Sequence, residues 1–253
     1  MIPVNLSFGA CGFLGIYHLG VISAIQTHGR KLLLTMKCFA GASAGALAAT
    51  LLATAPEKLE DCKQFTYKFA KEVRSLKLGA VTPGYDFIRN LRDGIEDVLP
   101  ADAHKTAESC LHISITHAKT GKNYMISEFS SRDDLIKVLL ASCFVPFYAG
   151  ISAVEYRGEK WMDGGLSNSL PIFSFGRTVT VTPFSGPYDI CPDDTGLMTT
   201  CVKLANQNVL LSMNNVRRLN QALFPPVKQK MELLYQMGYD NAVKYLRAEN
   251  LFL

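Results

Sequence analysis

Residues 4–8 (VNLSF) alternate apolar and polar side chains, the period of a half-buried strand. The glycine-rich stretch GACGFLG follows, and LGIYHLGVISAIQTHG then reads as an apolar helix stopped at Gly29. KLLLTMKCFA reads as a second buried strand, leading through GASAG into the helix ALAATLLATA. Pro56 ends that helix and opens another, in which Leu59, Cys62, Phe65, Phe69, Val73 and Leu76 recur every three or four residues. Such a stripe marks a helix face turned inward, and its residues are expected to pack as core.

TPGYD predicts a turn, and Phe87, Ile88, Leu91, Ile95 and Val98 predict a further helix. LHISITHAKTGKNYMIS reads as two strands joined at Thr120-Gly121-Lys122. Ser131 and Asp134 form a capping-box pattern before the helix RDDLIKVLLAS. AVEYRGEKWM reads as a hairpin running into Asp-Gly-Gly, and RTVTVTP as a late strand. From Cys201 onward the pattern is helical, broken at Phe224-Pro225-Pro226. Strands alternating with helices, without repeat or linker, predict one α/β domain over residues 1–253: a mostly parallel central sheet flanked by helices, with a helical segment over 201–253.

Composition narrows the class. Of 253 residues, 48% are hydrophobic and 19% charged, which fits a large core and excludes a disordered chain. The net charge of +4 includes seven basic against three acidic residues after position 200, a bias that suits an anionic lipid surface or a solvated helical face. No dense Lys/Arg cluster with interleaved aromatics points to nucleic acid. Seven cysteines without a CxxC pair suit a reducing, intracellular compartment and give no zinc spacing, so no metal is expected. The N-terminal region lacks a charged segment before its apolar run, and no stretch reaches the about 18 apolar residues of a spanning helix. Membrane contact is therefore expected to be peripheral.

The chemistry concentrates in two places. Gly41-Ala42-Ser43-Ala44-Gly45 is G-x-S-x-G between a predicted strand and a predicted helix, the context of a nucleophile elbow. Gly41 and Gly45 flank Ser43 where a Cβ would collide with strand or helix. The first glycine-rich turn offers backbone N–H groups to an oxyanion, the kind of donor worth about 2.7–4 kcal/mol in other enzymes. Read instead as a dinucleotide fingerprint, that turn lacks G-x-G spacing, and no Asp or Glu occurs before Glu57 to hold a ribose.

The five histidines are 18, 28, 104, 112 and 117, so no acid-then-histidine pair can follow the serine in the second half of the chain. Four read as structural, and His104, in a polar loop, is the reserve candidate for a base. Asp163-Gly164-Gly165 at a strand tip supplies a carboxylate able to serve as general base if burial raises its pKa.

GACGFLG, GASAG and the late Asp-Gly-Gly, in this order, resemble the patatin-like phospholipase domain family, and the likeness runs from end to end. The resemblance implies a histidine-free Ser–Asp acyl hydrolase: Ser43 the nucleophile, Asp163 the base, Cys11, Gly12 and Phe13 the oxyanion turn, and Gly15, Gly41, Gly45, Gly164 and Gly165 the motif glycines. It implies no cofactor. The implied substrates are triacylglycerols, phospholipids or retinyl esters, with acyl transfer to a second acceptor in some members, at a lipid-droplet or membrane surface. Two positions depart from the family pattern: Ala10 replaces a glycine of the turn, and Leu14 replaces a basic residue expected at the site's edge. The rival reading is a catalytically weak scaffold on a lipid surface.

Overall fold

The computed structural model describes residues 3–194 and 200–253. β1 (Val4–Phe8) leads through a 3-10 turn (Gly12–Leu14) into α1 (Gly15–His28), then α2 (Arg30–Thr35), β2 (Met36–Ala42) and α3 (Ala44–Thr54). A 3-10 turn beginning at Pro56 precedes α4 (Leu59–Ser75), followed by α5 (Phe87–Val98), α6 (Ala103–Ala107), β3 (Leu111–His117) and β4 (Asn123–Ile126). Next come α7 (Arg132–Ser142), β5 (Val154–Tyr156), β6 (Glu159–Asp163) and β7 (Arg177–Val181). The chain closes with β8 (Cys201–Leu204), β9 (Gln207–Leu210), α8 (Met213–Leu223) and α9 (Lys228–Ala248).

The expected α/β domain is present. Seven strands make one sheet in the order β5-β6-β3-β2-β1-β7, with β4 on β3, and helices flank it. β7, β1, β2 and β3 run parallel, while β4, β5 and β6 add an antiparallel margin. The middle strands β1 and β3 are buried on both faces: Leu6, Phe8, Ile113 and Ile115 are fully covered on one face and Ser114 on the other. Asn5 and Ser7 are fully covered too, in keeping with Asn5-Leu6-Ser7 lying in a central strand.

Two predicted elements are corrected. KLLLTMKCFA is not one strand: residues 30–35 continue helically past Gly29, and pairing with β1 begins at Met36. A short apolar run carries no period to separate the two, and Leu34, 78% exposed, could not have been a buried strand position. The segment after residue 200 does not begin as a helix but as the β8–β9 hairpin. Its two-residue turn, Ala205-Asn206, takes positive φ at both positions, as tight hairpins require.

The capping box is realised with a shifted partner. Ser131 Oγ accepts from Asp134 N at 3.1 Å, and the Asp134 carboxylate accepts from the Ser130 N–H at 3.0 Å rather than from Ser131. All seven cysteines are free thiols.

Candidate active site

Ser43 is the single residue between β2 and α3, with φ 54° and ψ −129°. A non-glycine residue in that region is strained, and the surrounding packing must hold it there. The strand and helix close on each other so tightly that a Cβ on Gly41 would lie 2.3 Å from the Gly45 carbonyl carbon, and one on Gly45 2.2 Å from Phe8 O. The elbow is further pinned from α7: Ser142 Oγ accepts from Ser43 N at 2.8 Å and donates to Ser114 O at 2.8 Å.

The register of β3 brings the carboxylate to the serine. Ala42 pairs with Ser114 on one edge of β3, and Asp163 pairs with Ile115, the next residue along. Both Ser114 and Ile115 also pair with β4, which occupies the opposite edge. β2 and β6 therefore run toward each other along the same edge and meet tip to tip, Ser43 just past one and Asp163 closing the other.

Asp163 is 3% exposed, and its Oδ1 accepts from Gly165 N at 2.6 Å. Burial raises its pKa to about 7, and the Ser43 hydroxyl and the Gly165 N–H, each favouring the ionised form, keep it from rising further. A carboxylate poised near neutrality can accept a proton at pH 7, which an ordinary surface aspartate does poorly. Gly164 lies where a side chain would strike Ser114 O, so the turn after Asp163 sits directly on β3.

The first turn stands across from this pair. Gly9 N donates to Val181 O at 2.9 Å, Ala10 N to Ser169 O at 2.8 Å and Leu14 N to Cys11 O at 3.0 Å. Among the described residues nothing accepts from the N–H groups of Cys11, Gly12 or Phe13. Gly12 takes φ 53°, and a Cβ there would lie 2.3 Å from Ala222 O of α8. Gly15 opens α1 against Ala44. Ala10 keeps its N–H out of the donor set, and Leu14 is fully buried, away from the cavity lining, rather than at the site's edge.

Cys11, Gly12, Phe13, Ser43, Asp163 and Gly165 all line one cavity of about 520 Å³. Its inner end is closed by Leu51, Phe69, Phe87, Leu91 and Ile95, and its mouth lies among the exposed Val202, Leu211, Val216, Leu219 and Leu223. Cys62, Phe65 and Phe69 of the α4 stripe, expected as core, are cavity wall as well. Val145 and Tyr148 also line it, whereas Phe144 is core and Phe147 is 83% exposed. Among the described residues Asp163 is the one carboxylate on the lining, and no lysine, arginine or histidine joins it. No group of three or more His, Cys, Asp or Glu among them is placed to hold a metal.

The histidines lie elsewhere. His104 sits in α6, outside the cavity lining. His18 was placed in a structural role, and it has one the sequence did not specify: its Nε2 is 2.8 Å from Gly9 O, at the root of the first turn. Burial lowers its pKa to about 4, so it is neutral and donates through Nε2. The sequence alone does not single out Ser142, whose one signal is a serine directly after the apolar run at residues 138–141. Cys11 and Cys143 flank the pair, and burial, with the Asp163 charge adding, holds both as thiols.

Residues 6–175 match the patatin-like phospholipase family model. The chain belongs to that family. It is 61% identical over 249 residues to patatin-like phospholipase domain-containing protein 4 from Homo sapiens, covering 98% of each chain. It is 36% identical to 1-acylglycerol-3-phosphate O-acyltransferase Pnpla3 from Mus musculus, covering 96% of this chain and 58% of that one. Among solved structures, VipD from Legionella pneumophila superposes with a TM-score of 0.53 at 12% identity, over 98% of this chain and 67% of that one, a likeness of fold. Among the described residues no helix is long and apolar enough to cross a membrane.

Proposed function

We propose that the protein is a lipid acyl hydrolase in which Ser43 and Asp163 form a catalytic dyad. The observation that carries the reading is the tip-to-tip meeting of β2 and β6, which sets a strained serine beside a buried aspartate of raised pKa, facing three unbonded N–H groups.

Ser43 Oγ attacks the ester carbonyl carbon while its proton passes to Asp163. The N–H groups of Cys11, Gly12 and Phe13 hold the oxyanion that forms. Collapse breaks the ester C–O bond, the leaving alcohol takes the proton from Asp163, and an acyl-Ser43 remains. Water then attacks the acyl carbon with Asp163 again taking a proton, which returns to Ser43 as the fatty acid leaves. A second alcohol in place of water gives acyl transfer, and the name of the mouse acyltransferase relative supports that branch.

The cavity's size falls within the about 300–1,000 Å³ of small-molecule sites, and its apolar wall without a basic side chain suits an acyl chain rather than a charged group. Triacylglycerol, retinyl ester and phospholipid are the ester classes this supports, taken from a membrane or droplet surface by a peripheral enzyme. Intact-mass spectrometry with a fluorophosphonate tests it. One adduct on the wild type, absent in Ser43→Ala and much slowed in Asp163→Asn, is expected; a folded wild type that forms none would leave the scaffold reading in its place.

A further inference from the structure

Helix α8 is turned inside out. Met213, Val216, Leu219 and Leu223 recur at helical spacing and face outward, with Met213 66% exposed, while Asn215 and Arg218 are buried. A helix that merely covers a core presents the opposite arrangement. The inversion is locked by a buried network: Arg218 donates to both oxygens of Asp194 at 2.6 and 2.9 Å, to Ser185 Oγ at 2.8 Å and to Asn215 Oδ1 at 2.8 Å. Asn215 in turn donates to Ser185 O and Leu210 O. An ion pair buried at this depth fixes orientation more than it adds stability.

The apolar stripe is continuous with the cavity mouth, since Val216, Leu219 and Leu223 belong to both. It extends past the end of the helix to Phe224 and Val227, each more than half exposed. Beside that corner lies a basic groove formed by Lys68, Lys71 and Arg74 of α4 with Lys228 of α9, completed by Gln64 and Tyr67. Arg74 Nη1 donates to Pro226 O at 2.9 Å, so groove and corner are one surface. Among the described residues Lys68, Lys71, Arg74 and Arg217 have no ion-pair partner, and Glu232, the acid at the edge, is met by Lys228.

We propose that the outer face of α8, the Phe224–Val227 corner and the basic groove of α4 dock the protein on a phospholipid layer bearing anionic headgroups. This rests on the acyl-hydrolase reading for the meaning of the cavity. The apolar stripe enters the layer, the lysines and Arg74 meet the headgroups, and an acyl chain passes into the cavity without crossing water. A second copy of the chain fits less well, because it would bring the same basic charges to a patch whose acids, Glu72 and Glu232, are outnumbered by Lys68, Lys71, Arg74, Arg217 and Lys228.

The test is flotation with vesicles of phosphatidylcholine alone or mixed with phosphatidylserine. The variants are Met213→Asp with Phe224→Ser, and Lys68→Glu with Lys71→Glu, none of them on the cavity lining. The wild type should float with the mixed vesicles and far less with phosphatidylcholine alone. Each double variant should lose about tenfold or more of its binding, while melting by circular dichroism and labelling by a soluble fluorophosphonate stay at wild-type values. Ser43→Ala should float as the wild type does, so an inert serine with intact flotation would sink the hydrolase reading and spare the surface. Wild type that floats with neither vesicle, variants that float unchanged, or a dimer in sedimentation that these substitutions dissolve would each overturn the proposal.

Discussion

The N–H of Ser43 donates to the hydroxyl of Ser142, and that hydroxyl hands its own proton to the carbonyl of Ser114. One fully buried side chain from α7 thus satisfies a polar group at the elbow and another on β3. Ser142→Ala leaves a buried donor and a buried acceptor unpaired, which should cost about 1–3 kcal/mol in denaturant melts. Fluorophosphonate labelling of Ser43 should slow, with the pH at half-maximal rate unmoved, because Asp163 keeps its surroundings. An unchanged melt and labelling rate would mean the hydroxyl does not hold the elbow.

In the proposed dyad Asp163 sets the pH dependence of reaction. With a folded pKa of about 7, the base is ionised above that pH and protonated below it. Labelling should therefore rise about tenfold per pH unit below neutrality and level off above pH 8. A rate flat from pH 5 to 8 would remove Asp163 from the role of base.

The same shift has a consequence for stability, and His18 opposes it. Asp163 binds its proton more tightly folded than unfolded, so its contribution is present below the unfolded value near 4 and is lost as pH rises through about 7. The His18 ring binds its proton less tightly folded than unfolded, so its contribution is present above about 6.5 and is lost as pH falls toward about 4. Between these limits the two nearly cancel. Asp163→Asn should raise stability at pH 8 by up to about 4 kcal/mol, and its melting temperature should then climb with pH from 4 to 6.5 because His18 acts alone. A variant no more stable than the wild type at pH 8 would contradict the buried charge.

Strain at Ser43 separates two variants that the proposed dyad makes inert. Both Ser43→Ala and Ser43→Gly lack the hydroxyl, but only glycine accepts φ 54° without penalty. Ser43→Gly should be the more stable by about 1–3 kcal/mol in urea titrations. Equal midpoints would show an unstrained elbow.

His18 supports the first turn from beneath. His18→Phe keeps the ring contact with Phe8 but leaves Gly9 O without its 2.8 Å donor. A loss of about 1–3 kcal/mol is expected, with slower labelling as the Cys11–Phe13 amides lose their footing. Wild-type labelling in this variant would show that the turn holds itself.

The central strands, the elbow, the Asp-Gly-Gly turn and the helix starting after Ser131 were legible because each is announced by local punctuation: an alternating run, a glycine pair, a cap. What joins them is not local. That Ala42 and Asp163 pair with consecutive residues of β3 is a matter of register between segments more than a hundred residues apart. The α4 periodicity located an inward face at Phe65 and Phe69, yet the period is the same whether that face meets packed side chains or a cavity. The α8 sequence MNNVRRLNQAL misleads in a third way, since its apolar residues mark the side away from the protein once Arg218 finds Asp194. The β8–β9 hairpin left little trace, since neither CVKL nor QNVL alternates and only Asn206 hints at a turn, overshadowed by the helical pattern beyond it.

The family match ends at residue 175, before the wall that β9 and α8 build over the reacting groups. The wall of the one cavity is thus shared between that matched stretch and the later hairpin and helix, joined where Gly12 lets the first turn lie against Ala222. Any side chain at position 12 would push α8 off the first turn and so disturb the three free amides and the cavity mouth together.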